Sequence, residues 1–91
     1  MKDICDLAKS KKIMTIVDGA HAPGQVDVNL NHIHCDFYIG ACHKWLSAPK
    51  GSSFMYVKND IQDMIDPLII SWGKEVDPST SSFINENQYQ G

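Results

Sequence analysis

Three short runs of apolar and β-branched residues constrain this fold more than anything else in the sequence: Ile13-Met14-Thr15-Ile16-Val17, Phe37-Tyr38-Ile39-Gly40-Ala41 and Ser53-Phe54-Met55-Tyr56-Val57. The first lacks the alternation of a half-exposed strand and suits a strand covered on both faces, as in a parallel sheet; the second reads as another buried strand. The connections decide their directions. Between the second and third runs the chain holds Pro49 and Gly51 and is too short for a crossover helix, so the third strand is expected antiparallel to the second. The first connection is longer and can cross over. The expected architecture is therefore α/β, a mostly parallel sheet with one antiparallel strand.

Around these strands the pattern is helical or polar. Over residues 3–12, Ile4, Leu7 and Ala8 fall at i, i+3 and i+4, with acids early and Lys9, Lys11 and Lys12 late, as the helix dipole prefers. This predicts an amphipathic helix packed through that apolar face. Gly19, Pro23 and Gly24 break the chain into a loop after the first strand, and residues 59–65 read as a short helix capped by Asn59 or Asp60. Residues 1–73 make one compact unit, and from residue 74 to 91 the chain turns to Ser, Thr, Asn, Gln and Pro, a composition that cannot drive its own packing. No internal repeat is present.

Composition narrows the partners. The net charge of −3 offers no electrostatic attraction for nucleic acid or anionic lipid. No apolar run approaches the roughly 20 residues of a membrane span, so no membrane partner is expected. All eight basic residues are lysines, so the flat two-pronged grip of arginine on a carboxylate or phosphate is missing from this chain. Three cysteines without C-x-x-C spacing indicate neither a disulfide framework nor a four-cysteine zinc site, and a cytoplasmic location follows. His32, His34, Cys35, Cys42 and His43 could supply a tetrahedral metal site, but their spacing fits no common zinc signature and no metal is assigned.

In open α/β sheets ligands bind beyond the carboxyl ends of the parallel strands, where Asp18 and Lys44 follow the first and second runs. An acid and an amine there can form a plain buried ion pair or do chemistry. The segment Val17-Asp18-Gly19-Ala20-His21-Ala22-Pro23-Gly24, with Asp36-Phe37-Tyr38, His43-Lys44-Trp45-Leu46 and Ala48-Pro49-Lys50-Gly51, resembles the class V aminotransferases. Within that superfamily of pyridoxal-phosphate (PLP) enzymes it is most similar to isopenicillin N epimerase-like proteins, with cysteine desulfurases further off. The match runs from about Ile13 to Val57, with D-x-x-H and H-K-W in order, a far more specific combination than a lone His-Lys pair.

The resemblance implies a partial fold-type-I large domain, with 74–91 extending toward a subunit interface, in a parent protein that is a homodimer acting on a small amino-acid substrate. It implies that Lys44 is catalytic and holds the PLP aldehyde as a Schiff base, since that step needs a primary amine. Asp18 matches the aspartate that keeps the ring nitrogen protonated, the condition for PLP to act as an electron sink. His21 matches the position that hydrogen-bonds the cofactor's phenolic oxygen, and His43 the histidine near its phosphate; a surface imidazole and one packed at a strand end are their plainer readings. Trp45 and the Pro49-Lys50-Gly51 stretch are expected to shape the turn. Gln88-Tyr89-Gln90-Gly91 resembles the stretch where the family reaches the partner subunit's cofactor, and the chain is expected to be an internal fragment. A noncatalytic remnant is the alternative that keeps the sheet and binds nothing.

Overall fold

The computed structural model describes residues 1–69. Helix α1 spans Lys2–Ser10, with Asp3 in its first turn and Lys9 in its last. Strand β1 is Ile16–Asp18, a one-turn helix α2 follows at Leu30–Ile33, and then come β2 at Phe37–Ala41 and β3 at Ser53–Val57. A 3-10 helix at Asn59–Met64 closes the described chain. The sheet order is β1-β2-β3, with β1 parallel to β2 and β2 antiparallel to β3, as the connection lengths require.

The register separates two faces. Val17, Tyr38 and Tyr56 lie abreast, as do Asp18, Ile39 and Met55, and alternate residues of a strand point to opposite sides. The Val17 side packs against the helices: Cys5, Val17, Cys35 and Tyr38 are buried together, with Val28, Leu30, Ile33, Phe54 and Tyr56 around them. Burial pushes the Cys35 thiol and the Tyr38 hydroxyl up from their ordinary pKa values, desolvation being the largest cause in both. On the other side Phe37 and Ala41 are buried, but Ile16, Ile39 and Met55 between and beside them are 69%, 40% and 53% exposed, so the middle of that face is open among the described residues.

Four expectations are corrected. Helix α1 packs through Cys5, while Ile4 and Leu7 stay exposed, because the core beside it is lined by Cys35 and Val17. The first strand begins at Ile16 because Thr15 is held by a side chain: its amide donates to Asp36 Oδ2 at 2.9 Å, and Asp36 returns a bond from its amide to Thr15 Oγ1 at 3.1 Å. That strand is also covered on one face only, Ile16 and Asp18 being exposed on either side of Val17. The helix after β3 is 3-10 and starts without a side-chain cap; Asn59 Oδ1 accepts from Gln62 Nε2 at 3.1 Å instead, and Asp60 pairs with Lys58 at 3.6 Å.

Helix α2 was not foreseen. Asn29 Oδ1 accepts from the His32 amide at 3.2 Å to start it, and His34, at φ 64°, ends it. His34 Nδ1 meets Asp6 Oδ1 at 2.9 Å and so ties α2 to α1. The hydrogen bonds from Lys2 and His34 hold the Asp6 carboxyl down to a pKa of about 2. The expected boundary at residue 73 and the polar segment 74–91 lie outside the described residues.

Candidate functional site

Asp18 ends β1, and the ladder continues one residue past it: the Gly19 amide donates to the Ile39 carbonyl at 2.9 Å. Tyr38, buried beneath, donates its hydroxyl to the Gly19 carbonyl at 3.4 Å. A Cβ at Gly19 would lie 2.0 Å from that hydroxyl oxygen, so only glycine fits. Asp18 then turns the chain, its Oδ1 accepting from the Ala20 amide at 3.2 Å, a local bond that short acidic side chains favour in turns. Its Oδ2 meets no donor among the described residues. The carboxylate is exposed, on the same side of the sheet as Ile39.

The loop after Asp18 is cross-linked by its own backbone. The Ala22 amide donates to the Gly19 carbonyl, and the Gln25 and Val26 amides to the Ala22 carbonyl, each at 3.0 Å. Beyond β2 the chain turns again: the Ala48 amide donates to the Cys42 carbonyl at 2.9 Å and the Ser47 amide to the Lys44 carbonyl at 3.3 Å, with Ser47 at φ 59°. Lys44 sits in this turn. Its Nζ lies 3.3 Å from His21 Nε2, so in the ammonium form it donates to the imidazole.

His43 points the other way. Its Nδ1 donates to the Ser52 carbonyl at 3.0 Å, the same oxygen that accepts from the Cys42 amide, which fixes the tautomer and leaves Nε2 as the acceptor of a neutral ring. Of the four residues singled out in the sequence, the structure thus joins His21 to Lys44, sets Asp18 at the neighbouring strand end, and ties His43 to the start of β3 through its backbone. Asp18 and Lys44 are both exposed and form no ion pair, so the buried pair that the sequence also allowed is absent among the described residues.

Two contacts escaped sequence reasoning. The Ser52 carbonyl that orients His43 carries no side-chain signal. Gly24, read only as a loop breaker, has φ +84° and packs on the Trp45 peptide. The five residues considered for a metal are scattered: Cys35 is buried, His34 faces Asp6 and His43 faces Ser52. No group of three or more candidate ligands gathers among the described residues.

A sequence profile described as Aminotransferase class-V matches residues 1–90. The chain is 44% identical over 73 residues to an isopenicillin N epimerase of Streptomyces clavuligerus, covering 80% of this chain and 18% of that protein. It is 38% identical over 86 residues to an L-cysteine desulfhydrase-like protein of Epichloe uncinata, covering 94% of this chain and 17% of that one. Among solved structures, the apo cysteine desulfurase from Thermococcus onnurineus NA1 superimposes with a TM-score of 0.74 at 26% identity, over 86% of this chain and 20% of the other. The chain therefore spans less than a quarter of the length of these relatives.

Proposed function

The chain belongs to the class V aminotransferases, a family of PLP enzymes, and is similar within it to isopenicillin N epimerases; from that premise we propose that it is the cofactor-lysine segment of an enzyme acting on an amino acid, with Lys44 as the cofactor lysine. The observation that carries the reading is the Lys44–His21 contact at the carboxyl end of the strands, beside a carboxylate with a free oxygen. A PLP site needs an amine, a carboxylate for the ring nitrogen and a polar group for the phenolic oxygen, and this corner supplies all three.

When bound, PLP supplies an electron sink for the bonds at an amino acid's α-carbon. The residues of this chain do the rest. Lys44 would hold the aldehyde carbon and, once released by substrate, move the α-proton through the same Nζ. Asp18, through Oδ2, would hold the proton on the ring nitrogen, because a carboxylate favours the cationic form beside it. His21 would present its ring to the phenolic oxygen, with its contact to Lys44 holding the amine alongside. His43, with Nδ1 committed to Ser52, would have Nε2 left for the phosphate.

Epimerisation and C–S bond cleavage share this Asp, His and Lys machinery, and the likeness to a cysteine desulfurase favours C–S cleavage as the second reading. A homodimer in the cytoplasm is the assembly and location that go with the proposal. Among the described residues no helix is long and apolar enough to cross a membrane. The test is to add PLP to the protein and to its Lys44→Ala variant. An absorbance band present only with Lys44 supports the reading, and a band of equal strength in the variant rejects it.

A further inference from the structure

His21 and Lys44 belong to separate loops, and neither side chain is held by burial, since both are exposed. Their 3.3 Å contact therefore depends on how the two loops are docked. The loop carrying His21 is braced within itself by backbone bonds that run from Gly19 to Val26. The turn carrying Lys44 is closed by the bonds to the Lys44 and Cys42 carbonyls. Gly24 is a point of close approach between these two pieces. A Cβ there would lie 2.8 Å from both the carbonyl carbon and the oxygen of Trp45, and 3.2 Å from Leu46 Cδ2. Real side chains do not approach a peptide group so closely, and backbone cannot step aside as a flexible side chain can.

We propose that Gly24 is a positioning residue, which by seating its backbone on the Trp45 peptide docks the His21 loop on the Lys44 turn and so sets the imidazole–amine contact. The proposal rests on the reading of Lys44 as the reactive amine and names what holds that amine in place. Gly51 provides the control. It has φ +85°, close to the +84° of Gly24, yet a Cβ on it would meet nothing within 4 Å. Alanine at either position pays the cost of a left-handed backbone, and only at position 24 does it also push the two loops apart.

The experiment is competitive acetylation of the full chain with trace acetic anhydride, reading Lys44 against Lys50 in the same molecule by mass spectrometry. An ammonium that donates to an acceptor is held in its protonated, non-nucleophilic form, so the Lys44-to-Lys50 ratio should rise in His21→Ala, by about fivefold for a coupling of ordinary size. Gly24→Ala should raise the ratio by a similar factor, and the double variant should rise no further than either single one. Gly51→Ala should leave it unchanged. Additive gains in the double variant, or equal gains in Gly24→Ala and Gly51→Ala, would overturn the proposal. If Gly24→Ala does not fold, Leu46→Ala loosens the side-chain half of the same contact and should raise the ratio in the same direction; an unchanged ratio there overturns it. The reading of Lys44 as cofactor lysine fails separately, by the absence of a Lys44-dependent band with PLP while the acetylation ratios behave as stated.

Discussion

Lys44 Nζ lies 3.3 Å from His21 Nε2, a contact between residues 23 apart in the chain and brought together by two loops at the same end of the sheet. Asp18 stands at the adjacent strand end, in register with Ile39 and exposed. These positions set out what substitutions at the site and around it should do.

Asp18→Asn should leave PLP bound in the complete enzyme while slowing turnover by about a hundredfold or more, the usual cost of removing one group that stabilises developing charge. The amide keeps the shape and the Ala20 hydrogen bond through its oxygen, but cannot favour a protonated ring nitrogen. Steady-state kinetics with cofactor content measured in parallel will check this, and unchanged turnover would remove Asp18 from the role.

Gly40→Ala should destabilise the sheet without touching the site. A Cβ there would lie 2.3 Å from the Phe54 ring, which is stacked on Tyr38 with centroids 6.3 Å apart. Overpacking of this kind costs about 1–3 kcal/mol, readable as a lowered denaturation midpoint with the slope unchanged. A midpoint equal to that of the unsubstituted protein would mean that the ring moves aside freely.

The tie between α1 and α2 should weaken only in strong acid. Asp6 has its carboxyl lowered from 3.8 to about 2, chiefly by the hydrogen bond from Lys2 and then by that from His34. A lowered folded-state value means the contribution is fully present above 3.8 and fades as pH falls toward about 2. Chemical shifts of α1 and His34 followed through acid titration should change over that window and lose the transition in Asp6→Asn. A transition that persists in the variant would assign it to another carboxylate.

Much of this was legible in the sequence, for identifiable reasons. The bounds of β2 and β3 and their antiparallel pairing followed from two apolar runs and a connection too short for a helix. The candidate site residues came from the resemblance carried by D-x-x-H and H-K-W, and of these the structure brings His21 and Lys44 into contact. What escaped was set by tertiary contact. Helix α1 turned Cys5 inward in place of the Ile4 and Leu7 stripe because its partners are small and buried, and Thr15 left the strand because Asp36, far along the chain, bonds it. Gly24 was visible as a turn former, but its partner, the Trp45 peptide, has no signature in a sequence.

The isolated 91 residues should not sustain turnover of any amino acid with added PLP. Ile16, Ile39 and Met55 leave an exposed apolar patch beside Asp18 among the described residues, and Lys44 is open to water. Exposed faces and strand edges of this kind favour association, so light scattering should show species larger than a monomer. Steady turnover by these residues, abolished by Lys44→Ala, would contradict this.

The central claim is that Lys44 is the lysine that holds the cofactor, and reduction with borohydride in the presence of PLP, followed by peptide mapping, tests it most directly. Lys50 lies six residues on in the same exposed turn region and lacks an imidazole partner, so it is the natural competitor. The pyridoxyl group is predicted on the peptide containing Lys44, at that residue. Its recovery on Lys50 instead would contradict the account.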